Sequence, residues 1–129
     1  VFVSLIQDSP VEWLCNTDVV QKLSESSVFV LPSYREGFPR STQEAMALGL
    51  PVITTDVAGC RETVINGKNG LLVTVRDVNS LVDAMSFFLD NPNLVPKFGS
   101  QSRLIAEQRF NVGNVNKMLI SCFFPSFHA

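Results

Sequence analysis

The stretch "VFVLPSYREGFPRSTQEAMALGLPVITT", Val28 to Thr55, decides the fold. It opens on Val28, Phe29, Val30 and Leu31, a short β-branched and aromatic run stopped by Pro32. Such a run predicts a strand buried on both faces. It closes on a second run, Val52 to Thr55, released by Pro51. Between them Pro39 to Leu48 is rich in helix formers and ends at Gly49, a residue suited to a helix C-terminus. Strand, helix and strand in this order make a βαβ unit, with parallel strands and a right-handed crossover.

The same alternation extends outward. Asn69-Gly70 is a turn signal, and Leu71 to Val73 reads as the next strand. Asp18 to Ser26 reads as a short helix with Val19, Val20 and Leu23 on one side. Asp77 is placed to cap a helix whose Val78, Leu81, Val82, Met85, Phe88 and Leu89 recur at helical spacing and are expected inward. Asn91-Pro92 begins another helix, to about Glu107, with Leu94, Val95, Phe98 and Ile105 inward. A last helix spans Asn111 to Cys122. Glu12 to Cys15 is a weaker strand candidate, and Val1 to Ile6 is ambiguous. The expected fold is α/β, a Rossmann-like parallel sheet flanked by helices.

Composition narrows the function. The 129 residues make one domain, and 46% are apolar, enough for a packed core. Net charge is -2 with no basic run, so the electrostatic footprint of a nucleic-acid binder is missing. The three cysteines, Cys15, Cys60 and Cys122, are odd in number and far apart, which argues against a disulfide framework or a zinc site and for small buried or half-buried thiols. His128 is the only histidine and sits one residue from the end, so histidine triads and multi-histidine metal sites are not expected. No segment approaches the ~20 apolar residues of a membrane-spanning helix. Val1 is not an initiator methionine, and the aromatic end "CFFPSFHA" breaks the helical period, so the chain reads as a piece of something longer.

In open parallel sheets, ligands bind beyond the carboxyl ends of the strands. The loop Pro32 to Phe38 lies at that edge. Pro39 suits the first helical turn, where a missing N–H costs nothing. The N–H groups of Gly37, Arg40, Ser41 and Thr42 then gather at a helix start, which favours an anion, typically a phosphate. Gly37 permits close approach of a ligand to the backbone. Two carboxylates flank this cradle, Glu36 before it and Glu44 a turn inside the helix. A carboxylate only accepts, so it pairs with sugar hydroxyls. Carboxylate, anion cradle and carboxylate match a ligand built as sugar, diphosphate and ribose. Taken singly, a glutamate in a first helical turn is ordinary capping chemistry; the glycine, the proline and the preceding strand add weight. Arg35 and Arg40 are either phosphate-binding cations or solvated surface residues.

At these residues the chain resembles the family-4 (group 1) retaining glycosyltransferases, in the C-terminal, donor-binding domain of their GT-B fold. The family's motif, two glutamates separated by seven residues, is met by Glu36 and Glu44. The "LPS" before it, the "GLPVI" at Gly49, Pro51, Val52 and Ile53, and the "NGKNGLLV" that follows also match. The resemblance covers Val11 to about Asn116. It implies a nucleotide-diphosphate sugar as donor, UDP-linked in many members, with Glu36 on the donor sugar as the catalytic residue. Glu44 would hold the ribose, and Gly37, Phe38, Arg40, Ser41 and Thr42 would surround the diphosphate. It further implies transfer to a glycan or lipid-linked acceptor in bacterial surface polysaccharide synthesis, in the cytoplasm or peripherally at the inner face of the membrane. No cofactor or metal is implied, and no Asp-x-Asp motif occurs.

The chain also departs from the family pattern. The glycine-rich loop and basic pair of an earlier βα unit are not found, and Val1 to Pro10 is too short to contain them. The resemblance reaches only the donor-binding domain, so no N-terminal acceptor domain is expected within residues 1–129. The expectation is therefore a single partial donor-binding domain, residues 1–129, inactive by itself. A non-catalytic nucleotide-sugar-binding module working with a partner chain is the alternative.

Overall fold

A computed structural model describes residues 11, 12, 14 and 18–123. The possible elements at Val1 to Ile6, the residues Trp13 and Cys15, and His128 lie outside them. Glu12 and Leu14 are in no strand.

The described chain begins with helix α1, Val19–Ser24, capped by the Asp18 side chain through the N–H groups of Val20 and Gln21. Then follow strand β1, Phe29–Leu31, helix α2, Arg40–Ala47, and strand β2, Val52–Thr55. The short helix α3, Ala58–Arg61, precedes strand β3, Gly70–Val73. Helices α4, Val78–Asp90, α5, Leu94–Arg109, and α6, Val112–Phe123, complete it. The strands form one parallel sheet in the order β1-β2-β3, with Phe29 opposite Val52 and Val52 opposite Gly70. The expected α/β fold with its parallel sheet between helices is borne out.

Period-two alternation along the strands explains the layers. Val52, Phe29 and Leu72 point to one face, where Met46 of α2 and Ile105 and Ala106 of α5 cover them. Ile53, Val30, Leu71 and Val73 point to the other, against Ala84 and Phe88 of α4 and Phe98 of α5. Helix α5 thus serves both faces, its first half on one and its second half on the other. Val52 and Ile53 are fully buried, each contributing about 1.5–3 kcal/mol through burial. Phe87, Phe88 and Phe98 meet edge-on or tilted, with ring centres 5.2–6.1 Å apart.

Several expectations are corrected. All of β2 is buried, but β1 is only half-buried, because among the described residues β2 is central and β1 is an edge strand. Pro39 stands just before α2 with extended backbone (ψ 114°), not within its first turn. Gly49 closes α2 at φ +76°, a conformation glycine adopts without strain. On α4 only Ala84 and Phe88 are buried, while Val78, Val82, Met85 and Leu89 of the expected inward stripe are exposed. Val19 and Val20 are exposed as well, and α6 buries no residue. Cys60 is buried as expected, but Cys122 is exposed.

Candidate functional site

The three parallel strands end at one edge, and the segments that leave them converge on the loop after β1. Ser33 turns back at once, its N–H bonding the Leu31 carbonyl at 3.0 Å. The Ser33 carbonyl accepts the hydroxyl of Thr55, the last residue of β2. One residue earlier, the Thr54 hydroxyl donates to the Leu31 carbonyl at 2.9 Å and stands 3.1 Å from the Cys60 sulfur. Helix α3 arrives from β2 with Gly59 directly behind the loop. A Cβ there would stand within 3.0 Å of the carbonyl oxygens of Glu36 and Gly37, closer than side chains pack. From the far side of β3, the Arg76 guanidinium lies over the Tyr34 ring, 5.3 Å from its centre.

Within this frame Glu36 is half-buried, and its Oε1 accepts the Ser33 hydroxyl at 2.7 Å. Gly37 is exposed, with open space where a Cβ would be. Phe38 is half-exposed and rests edge-on against Phe110, centroids 5.3 Å apart. Helix α2 then starts with no side-chain cap. Its first N–H groups, on Arg40, Ser41 and Thr42, have no partner inside the helix, as at every helix start. Such donors, with the helix dipole behind them, suit a phosphate. Thr42 itself is fully buried, and its hydroxyl has no hydrogen-bond partner. That burial includes its backbone, so the accessible donors at this helix start are those of Arg40 and Ser41.

Glu44 is one turn farther along α2 and looks outward. Its Oε1 is 3.3 Å from Nε of Arg40, itself almost fully exposed, an ion pair of little energetic weight. With Gln43, Arg103, Glu107, Phe110 and Asn111 it borders a depression of about 350 Å³ between α2 and α5. A second hollow of about 690 Å³ lies alongside, bordered by Phe38, Gln43, Glu62, Arg109 and Phe110. The structure thus gathers Glu36, Gly37 and the α2 start at the strand ends and sets Glu44 and Arg40 on the outer flank of the same helix. Another cavity, about 610 Å³ between β1, α4 and α5, is lined by apolar residues and serines with no titratable group, and it offers a charged ligand nothing. Among the described residues no cluster of His, Cys, Asp or Glu is arranged to hold a metal ion.

Three participants were not singled out from the sequence for this role. Ser33 and Thr55 carry no local signal of their connection. Gly59 makes room for the loop backbone. Glu62 follows α3 as its C-terminal cap residue.

This loop, helix start and sheet edge form a candidate site on a Rossmann-like sheet, and comparison with known proteins gives the family of the chain. Residues 11–105 match the family described as Glycosyl transferases group 1. The chain belongs to that family. It is 34% identical over 95 residues to the capsular polysaccharide biosynthesis glycosyltransferase CapM of Staphylococcus aureus, covering 74% of this chain and 25% of that protein. It is 37% identical over 78 residues to N,N'-diacetylbacillosaminyl-diphospho-undecaprenol alpha-1,3-N-acetylgalactosaminyltransferase of Campylobacter jejuni, covering 60% and 21%. Among solved structures, sucrose-phosphate synthase from Thermosynechococcus elongatus aligns with TM-score 0.81 and 30% identity, over 94% of this chain and 34% of that one. Anabaena HepE in complex with UDP-glucose aligns with TM-score 0.84 and 26% identity, over 95% and 34%. The chain spans about a quarter of the length of these curated relatives. The expected membership, and the expected fold as part of a GT-B glycosyltransferase, are borne out.

Proposed function

We propose that this chain is the donor-binding part of a retaining glycosyltransferase that takes a sugar from a nucleotide-diphosphate sugar, UDP-linked. The observation that carries the reading is the convergence of three strand ends on the Glu36–Gly37 loop, immediately before a helix start that no side chain caps. The amides of Gly37, Phe38, Arg40 and Ser41 hold the diphosphate, while the expected Thr42 is buried and leaves this set. Glu36 is the catalytic residue: its carboxylate accepts from a donor-sugar hydroxyl and fixes the anomeric carbon in place. Glu44, on the outer flank, accepts from the ribose hydroxyls. UDP-glucose is bound in the related HepE structure, which supports this donor class.

The acceptor is a glycan or a lipid-linked saccharide of a bacterial surface polysaccharide. The diphospho-undecaprenol in the name of the Campylobacter relative supports the lipid-linked form. No helix among the described residues is long and apolar enough to cross a membrane. In this reading the reaction runs in the cytoplasm or peripherally at the inner membrane face, and a separate acceptor domain completes the cleft. Residues 1–129 by themselves bind donor weakly and do not turn over.

Calorimetry with UDP and UDP-sugars tests the reading. Glu44→Ala weakens UDP itself, about ten-fold for the loss of a hydrogen bond to a charged group. Glu36→Ala weakens the UDP-sugar and leaves UDP almost unchanged. Equal effects of both substitutions on UDP would refute the division of roles. Equally weak binding of unrelated dinucleotides would refute the donor site altogether.

A further inference from the structure

A glutamate side chain has three rotatable bonds, and a loop carboxylate with no partner samples many positions. Glu36 does not have that freedom. Its Oε1 is engaged by the Ser33 hydroxyl at 2.7 Å, a charge-assisted bond of normal length. Ser33 is held in turn by both of its backbone groups. Its N–H bonds Leu31 at 3.0 Å, and its carbonyl takes the hydroxyl of Thr55. Thr55 is buried at the end of the fully buried strand β2. Glu36's own backbone is braced independently by Gly59 behind its carbonyl. The nearest arginine along α2, Arg40, pairs with Glu44 and does not compete for Glu36.

We propose that Ser33 is a positioning residue for the sugar half of the donor. It engages Oε1 of Glu36 and leaves Oε2 with its lone pairs for a donor hydroxyl, so that the rigidity of β2 reaches the sugar through Thr55 and Ser33. This rests on Glu36 as the sugar contact, as proposed above. It goes further in naming the residue that makes that contact directional. In this role Ser33 acts through Glu36, so its removal acts on discrimination between UDP-sugar and UDP and not on nucleotide binding as such.

The test uses the 129-residue chain, with UDP and with the tightest-binding of UDP-glucose, UDP-N-acetylglucosamine and UDP-N-acetylgalactosamine. The readout is the ratio of the two dissociation constants, followed in parallel with thermal unfolding. Ser33→Ala is expected to reduce the preference for UDP-sugar over UDP about three- to ten-fold. UDP affinity stays within two-fold, and Ser33→Thr, which keeps the hydroxyl, restores the ratio. In the Glu36→Gln background Ser33→Ala has less effect, because coupled residues are not additive. If Glu36→Gln lowers the ratio and Ser33→Ala does not, the positioning role is overturned and the sugar contact stands. If neither changes it, the assignment of Glu36 fails and the inference fails with it. If Ser33→Ala weakens UDP and UDP-sugar equally, Ser33 only supports the loop and the inference is overturned.

Discussion

Helices α2 and α4 both follow a strand of the same parallel sheet, yet the chain leads into them by opposite means. The lead-in to α4 closes on itself. Asp77 accepts the Ser80 N–H at 3.1 Å, and the Ser80 hydroxyl accepts the Thr74 N–H at 2.9 Å. Arg76 takes a left-handed backbone (φ 59°) to make the turn. These partners all lie within a few residues of one another. The lead-in to α2 has no capping side chain and is braced from far along the sequence, by Thr55 on Ser33 and by Gly59 behind Glu36 and Gly37. A helix start that satisfies its own donors has few left to offer. One held open by distant residues keeps its N–H groups for a ligand. Substitutions that break this contrast are expected to break the site as well.

The largest effect is expected at Gly59. Its position has no room for a side chain, so Gly59→Val must push the Glu36–Gly37 backbone aside. Urea unfolding is expected to show a loss of about 2–3 kcal/mol, typical of overpacking. Calorimetry is expected to show UDP binding lost. A Gly59→Val protein that binds UDP normally would mean that distant bracing is not what keeps the loop in shape.

A matched pair of prolines sharpens the comparison next. Arg40 and Val78 are the first helical residues of α2 and α4, a position where proline fits and removes one N–H. Val78→Pro is expected to leave UDP affinity unaltered. Arg40→Pro is expected to weaken UDP by about 1.5 kcal/mol relative to Arg40→Ala, roughly ten-fold, for one charge-assisted hydrogen bond. Taking Arg40→Ala as the reference separates the amide from the guanidinium. Equal effects of the two prolines would show that α2 offers no donors that α4 lacks.

The same contrast explains how much was legible in the sequence. Local signals are legible. The runs at Val28, Val52 and Leu71 form the parallel strands, Gly49 ends α2, and Asp77 caps α4. Each depends on residues close together in the chain. The Glu36 loop and the helix start after it were legible for the same reason. Contacts across the chain were not. Thr55 and Ser33 are 22 positions apart, and nothing in either residue announces the bond. Gly59 is one glycine among seven, with no sign that backbone lies against it. Periodicity failed differently on α4. It marks an apolar face but not how much of that face the sheet covers, and the stripe from Val78 to Leu89 is wider than the strip over Ala84 and Phe88.

The smallest expected effect tests whether local closure at α4 is purely structural. Asp77→Ala removes one cap from a thirteen-residue helix. The cost is about 1 kcal/mol, or a melting temperature lower by about 4 °C for a domain of this size. Asp77→Asn, whose side-chain oxygen also caps, is expected to recover most of it. UDP affinity should not move in either variant, since Asp77 braces only its own helix. Arg76, its neighbour, does touch the site region through Tyr34, so a disturbed turn has one physical route to the loop. Should Asp77→Ala weaken UDP as much as Arg40→Pro does, that route carries energy, and the two lead-ins belong to a single site.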